Sequence, residues 1–434
     1  MSPWAAPVLF VPKKRDPTTG ERTWRMCISY VKLNSMTLNR IAYRLPRVAD
    51  LLARVSGSKY FSKLDLLSGF YQIRMKVEDI EKTGFTTPFG NFNFKVMPMG
   101  LCGAPGPFQR LMDEAFSTPA TVGNLSVPFD DFVCVYLDDI CVHSASSEEH
   151  LLHLRSVLQR LRDWKLYAKP TKCECMQTSI EFLGHHIGPT GMSITTTKRD
   201  ALQAWPEPSN VHEVRSLLGN FGFWRSYIRN YDDITQSLTV LTRKNIKSHF
   251  DEVERQALSN LKAAVKSAPV LCPVDWSKPF WLVTDASDYA LGAKLEQEDP
   301  QLQRRPGAYF SHLLSPAERA HPVHGRELLA IVLALRTWRH FLLGSEFSVV
   351  CQTDRKPLQA FLTKANLSSR QVRWQMFLSE YNLTVNYLPG KSNVFADGLS
   401  RIKLRLVAAL GQVDDWMIRI QKAIDADPDS SAIR

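Results

Sequence analysis

The sequence predicts a multidomain α+β protein, and three features lead to that prediction. With 434 residues the chain is too long for one ordinary core, so roughly two to four packed units are expected. Hydrophobic residues make up 44% of the chain and charged residues 22%, close to globular averages. Short β-type runs alternate with helical ones, and a breaker cluster at 205–210, WPEPSN, separates two such regions.

The elements follow in order along the chain. From Ser2 to about Gly188 the runs YFSKLDL, FKVMPMGL and FVCVYLDDICVHS are typical of strands between helices, which indicates a mixed α+β unit. Asn210, with Glu213 three residues on, marks the start of a helix. Its expected apolar stripe, which predicts a separate helical subdomain, consists of Val214, Leu217, Phe221, Trp224 and Ile228.

The C-terminal part is expected to be an α/β unit. After a charged connecting stretch from Lys244 to Lys266, three strands are predicted in PFWLVTDAS, YALGAKLEQ and GAYFSHLL. A long helix from about His324 to Leu343 follows, and then a strand in FSVVCQTD. A helix at 370–381, a strand in LTVNYLP and a short helix at 393–400 complete the unit, and the tail after residue 402 is left open.

Composition and charge limit the classes of partner. No uninterrupted apolar run approaches the roughly 18 residues that a membrane span needs, and the first twelve residues lack the basic region of a signal peptide. The formal net charge of +11 indicates a polyanionic partner, although charge alone does not separate nucleic acid from acidic membranes.

The eight cysteines are scattered, which is typical of reduced thiols in a cytosolic protein. Cys173 and Cys175, followed by His185 and His186, suggest zinc at first sight. Their spacings are not those of a common zinc finger, so plain thiols and imidazoles are favoured there.

Two adjacent acids dominate the strongest single motif, FVCVYLDDICVHS. Two β-type runs are joined by Asp138 and Asp139, although a tight hairpin favours Asn-Gly or Asp-Gly. Carboxylates about 4 Å apart repel by roughly 4 kcal/mol at an effective dielectric constant of about 20, so a cation is expected there. A third acid, Asp65, ends the strand-like run YFSKLD. We predict an oxygen-rich Mg²⁺ site suited to phosphoryl transfer, against the alternative of a solvated Asp-Asp turn.

A second set of acids follows in the C-terminal unit. Asp285 and Asp354 end strand-like runs, Glu327 lies in the helical run RELLAIVLAL, and Asp397 opens ADGLSR. The helical neighbours of Glu327 are apolar, so a lone carboxylate there would be desolvated at a high cost unless it is paired or metal-bound. Each acid alone is more typical of an exposed surface. Together they predict a second two-metal centre, which activates water against a phosphodiester.

In order, the motifs resemble those of gypsy-type (Metaviridae-like) long-terminal-repeat retrotransposon Pol polyproteins. Seven segments are similar to the reverse transcriptase: SPWAAPVLFVPKK, RMCISYVKLN, YFSKLDLLSGFYQI, VMPMGLCGAPGPFQRLMDE, VYLDDI, KLYAKPTKC and EFLGHHI. Five more, TDASDYALGA, RELLAIVLALRTWRHFLLG, QTDRKPL, RQVRW and YLPGKSNVFADGLSR, are similar to the ribonuclease H domain that follows it. The resemblance implies a right-hand polymerase with fingers, a ferredoxin-like palm and a helical thumb, followed by an α/β ribonuclease H-like domain.

The resemblance also implies boundaries for these parts. N-terminally truncated fingers and the palm are expected at 1–188, the thumb at 189–245 and a connection at 246–278. The ribonuclease H-like domain is expected at 279–402, and 403–434 would be a tail towards a missing downstream segment.

Individual roles are implied by the same resemblance. The polymerase metal ligands would be Asp65, Asp138, Asp139 and the carbonyl of Leu66, and the ribonuclease H catalytic and metal-binding tetrad would be Asp285, Glu327, Asp354 and Asp397. The substrate-binding residues would be Lys14, Arg25, Phe70, Met99 and Lys172. Among these, Phe70 would select deoxynucleotides. Lys172 lies near the position at which polymerases have a lysine credited with proton donation. The primer grip would consist of Phe182, Leu183 and Gly184.

The resemblance implies an RNA-directed DNA polymerase that is also an RNA–DNA hybrid endoribonuclease. Two Mg²⁺ ions would serve each site, with Mn²⁺ as an alternative. The expected partners are an RNA template, a DNA primer, RNA–DNA hybrid and deoxynucleoside triphosphates, with flanking protease and integrase segments in the parent polyprotein and no membrane. The expected location is the cytoplasm, in virus-like particles, with the nucleus as an alternative.

Several positions depart from the family pattern. Ser29 stands where Asp is usual, Val31 where Arg is, and Met99 where an aromatic residue or Gln is. Gly106-Pro107 replaces a good helix start, with distortion expected if Pro107 falls beyond the first turn, and 117–130 looks longer than usual. Two alternatives to the bifunctional enzyme therefore stay open: a degenerate or truncated copy that binds nucleic acid with little polymerase activity, and a nuclease alone.

Overall fold

The computed structural model describes residues 4–12, 24–37, 43–123, 125–243, 250–299, 301–353 and 369–387. The chain divides into two compact units, 1–195 and 196–434. Lys14, Asp354, Asp397, the short helix expected at 393–400 and the tail lie outside the described residues. Within the described ranges, no helix is both long enough and apolar enough to cross a membrane.

The first unit alternates strands and helices, as expected for its mixed composition. Its strands are β1 (Ala6–Pro12), β2 (Trp24–Ile28), β3 (Tyr60–Asp65), β4 (Phe85–Thr87), β5 (Gly90–Phe92), β6 (Ala120–Val122), β7 (Leu125–Val127), β8 (Val133–Tyr136), β9 (Asp139–Ser144), β10 (Glu174–Gln177), β11 (Ile180–Phe182), β12 (His185–Gly188) and β13 (Gly191–Ile194). Its helices are α1 (Val31–Met36), α2 (Val48–Val55), α3 (Val77–Ile80), α4 (Pro105–Phe116) and α5 (Ser147–Asp163).

The central sheet of this unit has the order β10-β3-β9-β8, and all its neighbours are antiparallel. Alternate residues of each strand face opposite sides. One side, with Leu64 and Ile140, packs with Phe108 of α4 and Val157 of α5. The other side, with Phe61, Cys134 and Cys141, packs with Leu51 and Val55 of α2. This sheet, buried on both faces, is the rigid support for the carboxylate-bearing hairpin β8–β9.

Two further sheets flank it. One has the order β2-β1-β4-β5, in which β1 pairs antiparallel with β2 and parallel with β4. The hydroxyl of Tyr30, which follows β2, donates a hydrogen bond to the carbonyl of Thr83, which precedes β4. The other is the antiparallel meander β11-β12-β13. The first of these sheets lies within the region expected as fingers and palm, 1–188, whereas β13 of the meander lies beyond the expected end of that region.

The unusual segments at 106–107 and 117–130 are accommodated without loss of helix. Pro107 is the third residue of α4, so its missing N–H falls in the first turn, where no helical partner is needed. The longer stretch forms the hairpin β6–β7 and the 3₁₀ turn Phe129–Asp131. Neither departure from the family pattern therefore interrupts the elements around the acids.

Four buried histidines lie within the described part of the first unit: His143, His150, His153 and His185. His150 on α5 has one ring nitrogen 2.7 Å from the Ser62 hydroxyl and the other 2.8 Å from that of Ser144. A ring nitrogen of His153 lies 2.8 Å from the same Ser144 oxygen. Burial lowers the pKa of His143 to about 3 and that of His185 to about 4, and it also lowers the pKa of His150 and His153. All four imidazoles are therefore neutral near pH 7.

We expect the stability of this unit to fall as pH drops below about 6.5. The folded-state pKa values are lowered, so unfolding takes up protons in the window from the ordinary histidine pKa down to about 3. Each proton taken up on unfolding adds about 1.4 kcal/mol per pH unit to the slope of the free energy of unfolding against pH. Urea unfolding at several pH values measures the slope. His143→Gln should reduce it by one proton, whereas the exposed His186→Gln should not; an unchanged slope in His143→Gln would contradict the assignment.

The second unit begins with helices and ends with an α/β sandwich. Its helices are α6 (Thr196–Gln203), α7 (Val211–Gly222), α8 (Tyr231–Ile234), α9 (Gln236–Val240), α10 (Glu252–Lys266), α11 (Pro316–Arg319), α12 (Val323–Thr337), α13 (Arg339–Leu342) and α14 (Ser369–Leu378). Its strands are β14 (Trp281–Ala286), β15 (Ala290–Glu298), β16 (Arg304–Leu313), β17 (Val349–Thr353) and β18 (Leu383–Tyr387).

The helical part confirms the predicted start of α7 and corrects two other expectations. The side chain of Asn210 accepts a hydrogen bond from the Glu213 N–H at 2.9 Å. The helix ends at Gly222, so Trp224 and Ile228 are buried but lie beyond it. The charged connecting stretch expected at 244–266 contains a helix that was not predicted. Residues 252–266 form α10, because their apolar positions recur at helical spacing and become buried.

The C-terminal sheet has the order β16-β15-β14-β17-β18, with the first three strands antiparallel and the last two parallel to β14. This confirms the three predicted strands in a row. Helix α12 packs on β14 and β15 with Leu329 and Ala330 in the shared core. The predicted helix at 324–343 is interrupted at Trp338, where the chain turns into α13.

Candidate active sites

The hairpin β8–β9 places two of the predicted acids in the first unit. Tyr136 pairs with Asp139, so Leu137 and Asp138 form the turn and Asp139 opens β9. The sequence predicted Asp138 and Asp139 as the linking pair, which is wrong by one residue. A two-residue turn here is possible because Leu137 adopts a left-handed backbone with φ of 53°. The turn thus sets Asp138 at the tip and Asp139 in the ladder.

Gln109 of α4 stabilises this strained turn. Its side-chain oxygen accepts a hydrogen bond from the Leu137 N–H at 2.8 Å, and its amide nitrogen donates to Asp113 at 2.9 Å. Gln109 is buried, so loss of its acceptor would leave an N–H without a partner at a cost of about 1–3 kcal/mol. Sequence reasoning missed this residue, because nothing in the run PFQRLMDE shows what Gln109 contacts.

Asp65 meets the hairpin from β3, directly opposite Asp139 in the antiparallel register. Two ammonium groups neutralise this acidic pair. Lys172 Nζ lies 2.8 and 3.0 Å from the two Asp65 carboxylate oxygens, and Lys63 Nζ lies 3.5 Å from Asp139. Lys63 was not among the predicted residues. Its position two before Asp65 on one strand is the signal that could have found it, since alternate residues share a face.

The surroundings of Asp138 disfavour its ionised form. Burial is the largest cause that raises its pKa, and the charges of Asp139 and Asp65 raise it further. Lys172 acts in the opposite direction. The three carboxylates therefore share a region of negative potential, in which added positive charge is favourable.

The carbonyl of Leu66 points into the same region. Leu66 forms an isolated bridge with Ala168, and its N–H donates to the Asp138 carbonyl at 3.3 Å. In a bridged extended residue the N–H and C=O point to the same side. The Leu66 carbonyl therefore faces the Asp138 side, as a metal ligand there would need to.

In the second unit, two predicted acids lie on adjoining elements. Asp285 is in β14 and is 8% exposed, and Glu327 is on α12, which packs on that strand, and is 1% exposed. The residues three, four and seven positions after Glu327 are buried, as expected. Glu327 also contributes to raising the pKa of the Cys351 thiol in β17, after burial, which places it beside the strand that leads to Asp354. Asp354 and Asp397 themselves lie outside the described residues.

Within the described part of the chain, no three His, Cys, Asp or Glu side chains are arranged to hold a metal ion. In the first unit, ammonium groups balance the acids instead. In kind, though not in this arrangement, the three carboxylates and the Leu66 carbonyl are the oxygen donors that a hard divalent cation prefers.

Comparison with known families decides the identity of the chain. Residues 11–187 match the family "Reverse transcriptase (RNA-dependent DNA polymerase)", and residues 275–381 match the "RNase H-like domain found in reverse transcriptase". Curated relatives include the Transposon Tf2-3 and Tf2-7 polyproteins of Schizosaccharomyces pombe, each 36% identical over 400 residues, or 92% of this chain. The chain belongs to the gypsy-type reverse transcriptases. It spans 29% of the length of these relatives.

Solved structures confirm the fold of this reverse transcriptase. A foamy viral protease-reverse transcriptase in complex with double-stranded DNA has a TM-score of 0.72 at 22% identity, covering 89% of this chain and 78% of that one. The same viral protein in complex with RNA/DNA hybrid has a TM-score of 0.67 at 22% identity, covering 91% and 52%. The right-hand polymerase fold followed by a ribonuclease H-like domain is therefore established.

The predicted nucleotide-binding residues lie on several elements of the reverse transcriptase unit. Arg25 is exposed on β2, opposite Val11 of β1. Phe70 lies in the 3₁₀ turn Gly69–Gln72 with its ring 5.1 Å from that of Phe108. Met99 is 41% exposed in the loop before α4. Lys172 contacts Asp65 itself, which is a closer relation to the acids than the resemblance implied.

The predicted primer grip forms a tight turn between β11 and β12. Phe182 is fully buried, and Leu183 and Gly184 have positive φ values of 49° and 82°. Two consecutive positive φ values are typical of the hairpin turn that matches strand twist. Phe182 therefore anchors the turn in the core, while Leu183 and Gly184 are only partly buried.

Gly69, which sequence reasoning missed, lies beside the Asp138 turn. A Cβ added there would lie 3.0 Å from Phe108 Cζ and 3.1 Å from Asp138 Cβ. We expect Gly69→Ala to shift the Asp138 turn, destabilise the unit by about 1–3 kcal/mol and slow primer extension by about tenfold or more. Gly103→Ala is the matched control, because a Cβ there has no atom within 4 Å. Equal extension rates for the two variants would contradict the expected clash.

Proposed function

We propose that this gypsy-type segment copies RNA into DNA and cleaves the RNA strand of the resulting hybrid. The observation that carries the polymerase proposal is the register of β3 and β9, which sets Asp65 opposite Asp139 beside the Asp138 turn. Phosphoryl transfer needs such an arrangement of oxygen ligands on a rigid support. The ribonuclease H proposal rests on the buried carboxylates Asp285 and Glu327 on adjoining elements.

We further propose that divalent cations, Mg²⁺ or Mn²⁺, serve both sites, two at each. Asp65, Asp138, Asp139 and the Leu66 carbonyl would hold them in the polymerase site. In the ribonuclease H site the proposed ligands are Asp285, Glu327, Asp354 and Asp397. When bound, the cations would activate the attacking hydroxyl or water and neutralise the leaving group.

The side chains around the polymerase acids would contribute in their own ways. Gln109 would hold the turn and so keep Asp138 in position. Lys172 would compete with a divalent cation for the Asp65 carboxylate. Lys172 is long and more than half exposed, so it can swing from Asp65 towards a phosphate or a leaving group. Phe70, Arg25, Met99 and Lys14 are proposed to bind the incoming deoxynucleoside triphosphate, and 182–184 the primer end.

The proposed macromolecular partners are an RNA template, a DNA primer and their hybrid. The net charge of +11 favours a polyphosphate partner, and the similar viral structures are described as complexes with double-stranded DNA and RNA/DNA hybrid. The curated relatives are polyproteins, so protease and integrase segments are proposed to flank this one. We further propose that the protein is located in cytoplasmic virus-like particles, with the nucleus as the alternative.

Primer extension on an RNA template, with labelled RNA to follow cleavage in the same reaction, tests the proposal. We expect extension with Mg²⁺ and deoxynucleotides, cleavage of the copied template, and loss of both on chelation. Binding to hybrid without either reaction would instead support the degenerate copy, and cleavage without extension would support a nuclease alone. The intact helix α4 after Pro107 counts against the degenerate copy.

A further inference from the structure

A segment of the helical region, residues 225–233, is hydrogen-bonded to the sheet that carries Asp285. Asp285, Gly292 and Ser311 form one row across β14, β15 and β16. The N–H of Asp232 donates to the Ser311 hydroxyl at 3.0 Å, and Arg225 donates to the Ser311 carbonyl at 2.7 Å. The segment is therefore hydrogen-bonded to Ser311, which lies at the opposite end of this row from Asp285, the proposed ribonuclease H acid.

The segment continues along this row to Asp285. The side-chain oxygen of Asn230 lies 3.3 Å from the position of a Cβ added at Gly292. Asn230 and Asp233 line one small cavity together with Asp285. Residues of segment 225–233 therefore lie next to Asp285.

Internal contacts hold the segment in this shape. Arg225 pairs with Asp232 at 2.7 Å, and its guanidinium lies 5.6 Å from the Tyr231 ring centre. Asn230 reverses the chain with a left-handed backbone, φ 55°. Tyr227 is buried in the helical region. Arg225 therefore joins two contacts, one within the segment and one with the sheet.

This arrangement conflicts with hybrid cleavage. A carboxylate that would hold a cation at the scissile phosphodiester must be accessible from the side of the duplex, and Asp285 is only 8% exposed. We propose that segment 225–233 is a lid on the ribonuclease H site, which must leave Asp285 before the RNA strand is cut. This inference rests on the proposed ribonuclease H function.

A reversible crosslink tests whether the lid must move. Asn230→Cys combined with Gly292→Cys places two thiols at a close approach between lid and sheet. We expect oxidation to reduce hybrid cleavage by about tenfold or more, and reduction to restore it, with primer extension unchanged. The two single-cysteine variants, oxidised in parallel, control for the native thiols. Full cleavage by the verified crosslinked protein would overturn the lid.

A release variant should act in the opposite direction. Arg225→Ala removes the bonds to Ser311 and Asp232, and we expect cleavage to rise by about five- to tenfold. Arg215→Ala is the matched control, because Arg215 donates to Thr242 within the helical region and not to the sheet. Slower cleavage in Arg225→Ala, with Arg215→Ala unaffected, would show that the segment completes the site and would overturn the lid.

Hydrogen exchange separates failure of the lid from failure of the proposed nuclease. With Glu327→Gln, so that hybrid is bound but not cut, we expect the amides of 225–233 to lose protection on addition of RNA–DNA hybrid. Loss of protection without cleavage by the unmodified chain would support the lid and remove the nuclease function. Protection unchanged by saturating hybrid would overturn the lid even if cleavage is observed.

Discussion

Asp138→Asn should abolish primer extension, by at least about a thousandfold, while hybrid cleavage continues at its original rate. The substitution keeps the size of the side chain and removes the charge at the tip of the β8–β9 turn. Burial and the neighbouring acids raise the pKa of Asp138. A neutral amide at this position removes repulsion from Asp65 and Asp139, so the substitution should not destabilise the fold. Single-nucleotide extension and labelled-RNA cleavage, measured in one reaction, separate the two effects.

The matched control for this result is Asp131→Asn. Asp131 is exposed in the 3₁₀ turn before β8, so its loss should leave extension unchanged. Thermal unfolding of both variants checks that a lost activity is not a lost fold. Extension by Asp138→Asn at even a tenth of the original rate would exclude this carboxylate from the polymerase machinery.

The acids of the first unit could be predicted from the sequence because their spacing follows strand geometry. A strand that ends in Asp65 and a hairpin with two acids can meet at one point in an antiparallel sheet, and the register shows that they do. The predicted turn was wrong by one residue, because propensity gives no reason to expect Leu137 in a left-handed conformation. That conformation depends on Gln109, which is a long-range contact.

Other features depended on contacts that no local pattern records. The close approach of Gly69 to Phe108 and Asp138 is one, and the pairing of Lys172 with Asp65 across 107 positions is another. Helix α10 is a different case. Its apolar residues recur at helical spacing in the sequence, but its many charged residues led to the prediction of a connecting stretch. The attachment of segment 225–233 to Ser311 joins two regions that the sequence suggested were separate.

Glu327→Gln should remove hybrid cleavage, by at least about a thousandfold, and leave primer extension intact. Glu327 is almost fully buried on α12, where an ionised carboxylate is costly unless a cation or hydrogen bonds compensate it. The neutral amide has nearly the same shape, so α12 should keep its packing on β14 and β15. Cleavage of labelled RNA in a preformed hybrid, with extension on a DNA template as the internal standard, measures the result.

Stability without divalent cations distinguishes a catalytic carboxylate from a structural one. If Glu327 serves a cation, Glu327→Gln should keep or raise the unfolding temperature in chelator, because a buried charge has been removed. The neighbouring core variant Leu328→Ala should instead lose about 2–5 kcal/mol, and the exposed Glu346→Gln should change neither stability nor cleavage. Lower stability of Glu327→Gln, comparable with Leu328→Ala, would mean that this carboxylate maintains the fold and that the tetrad assignment for it is wrong.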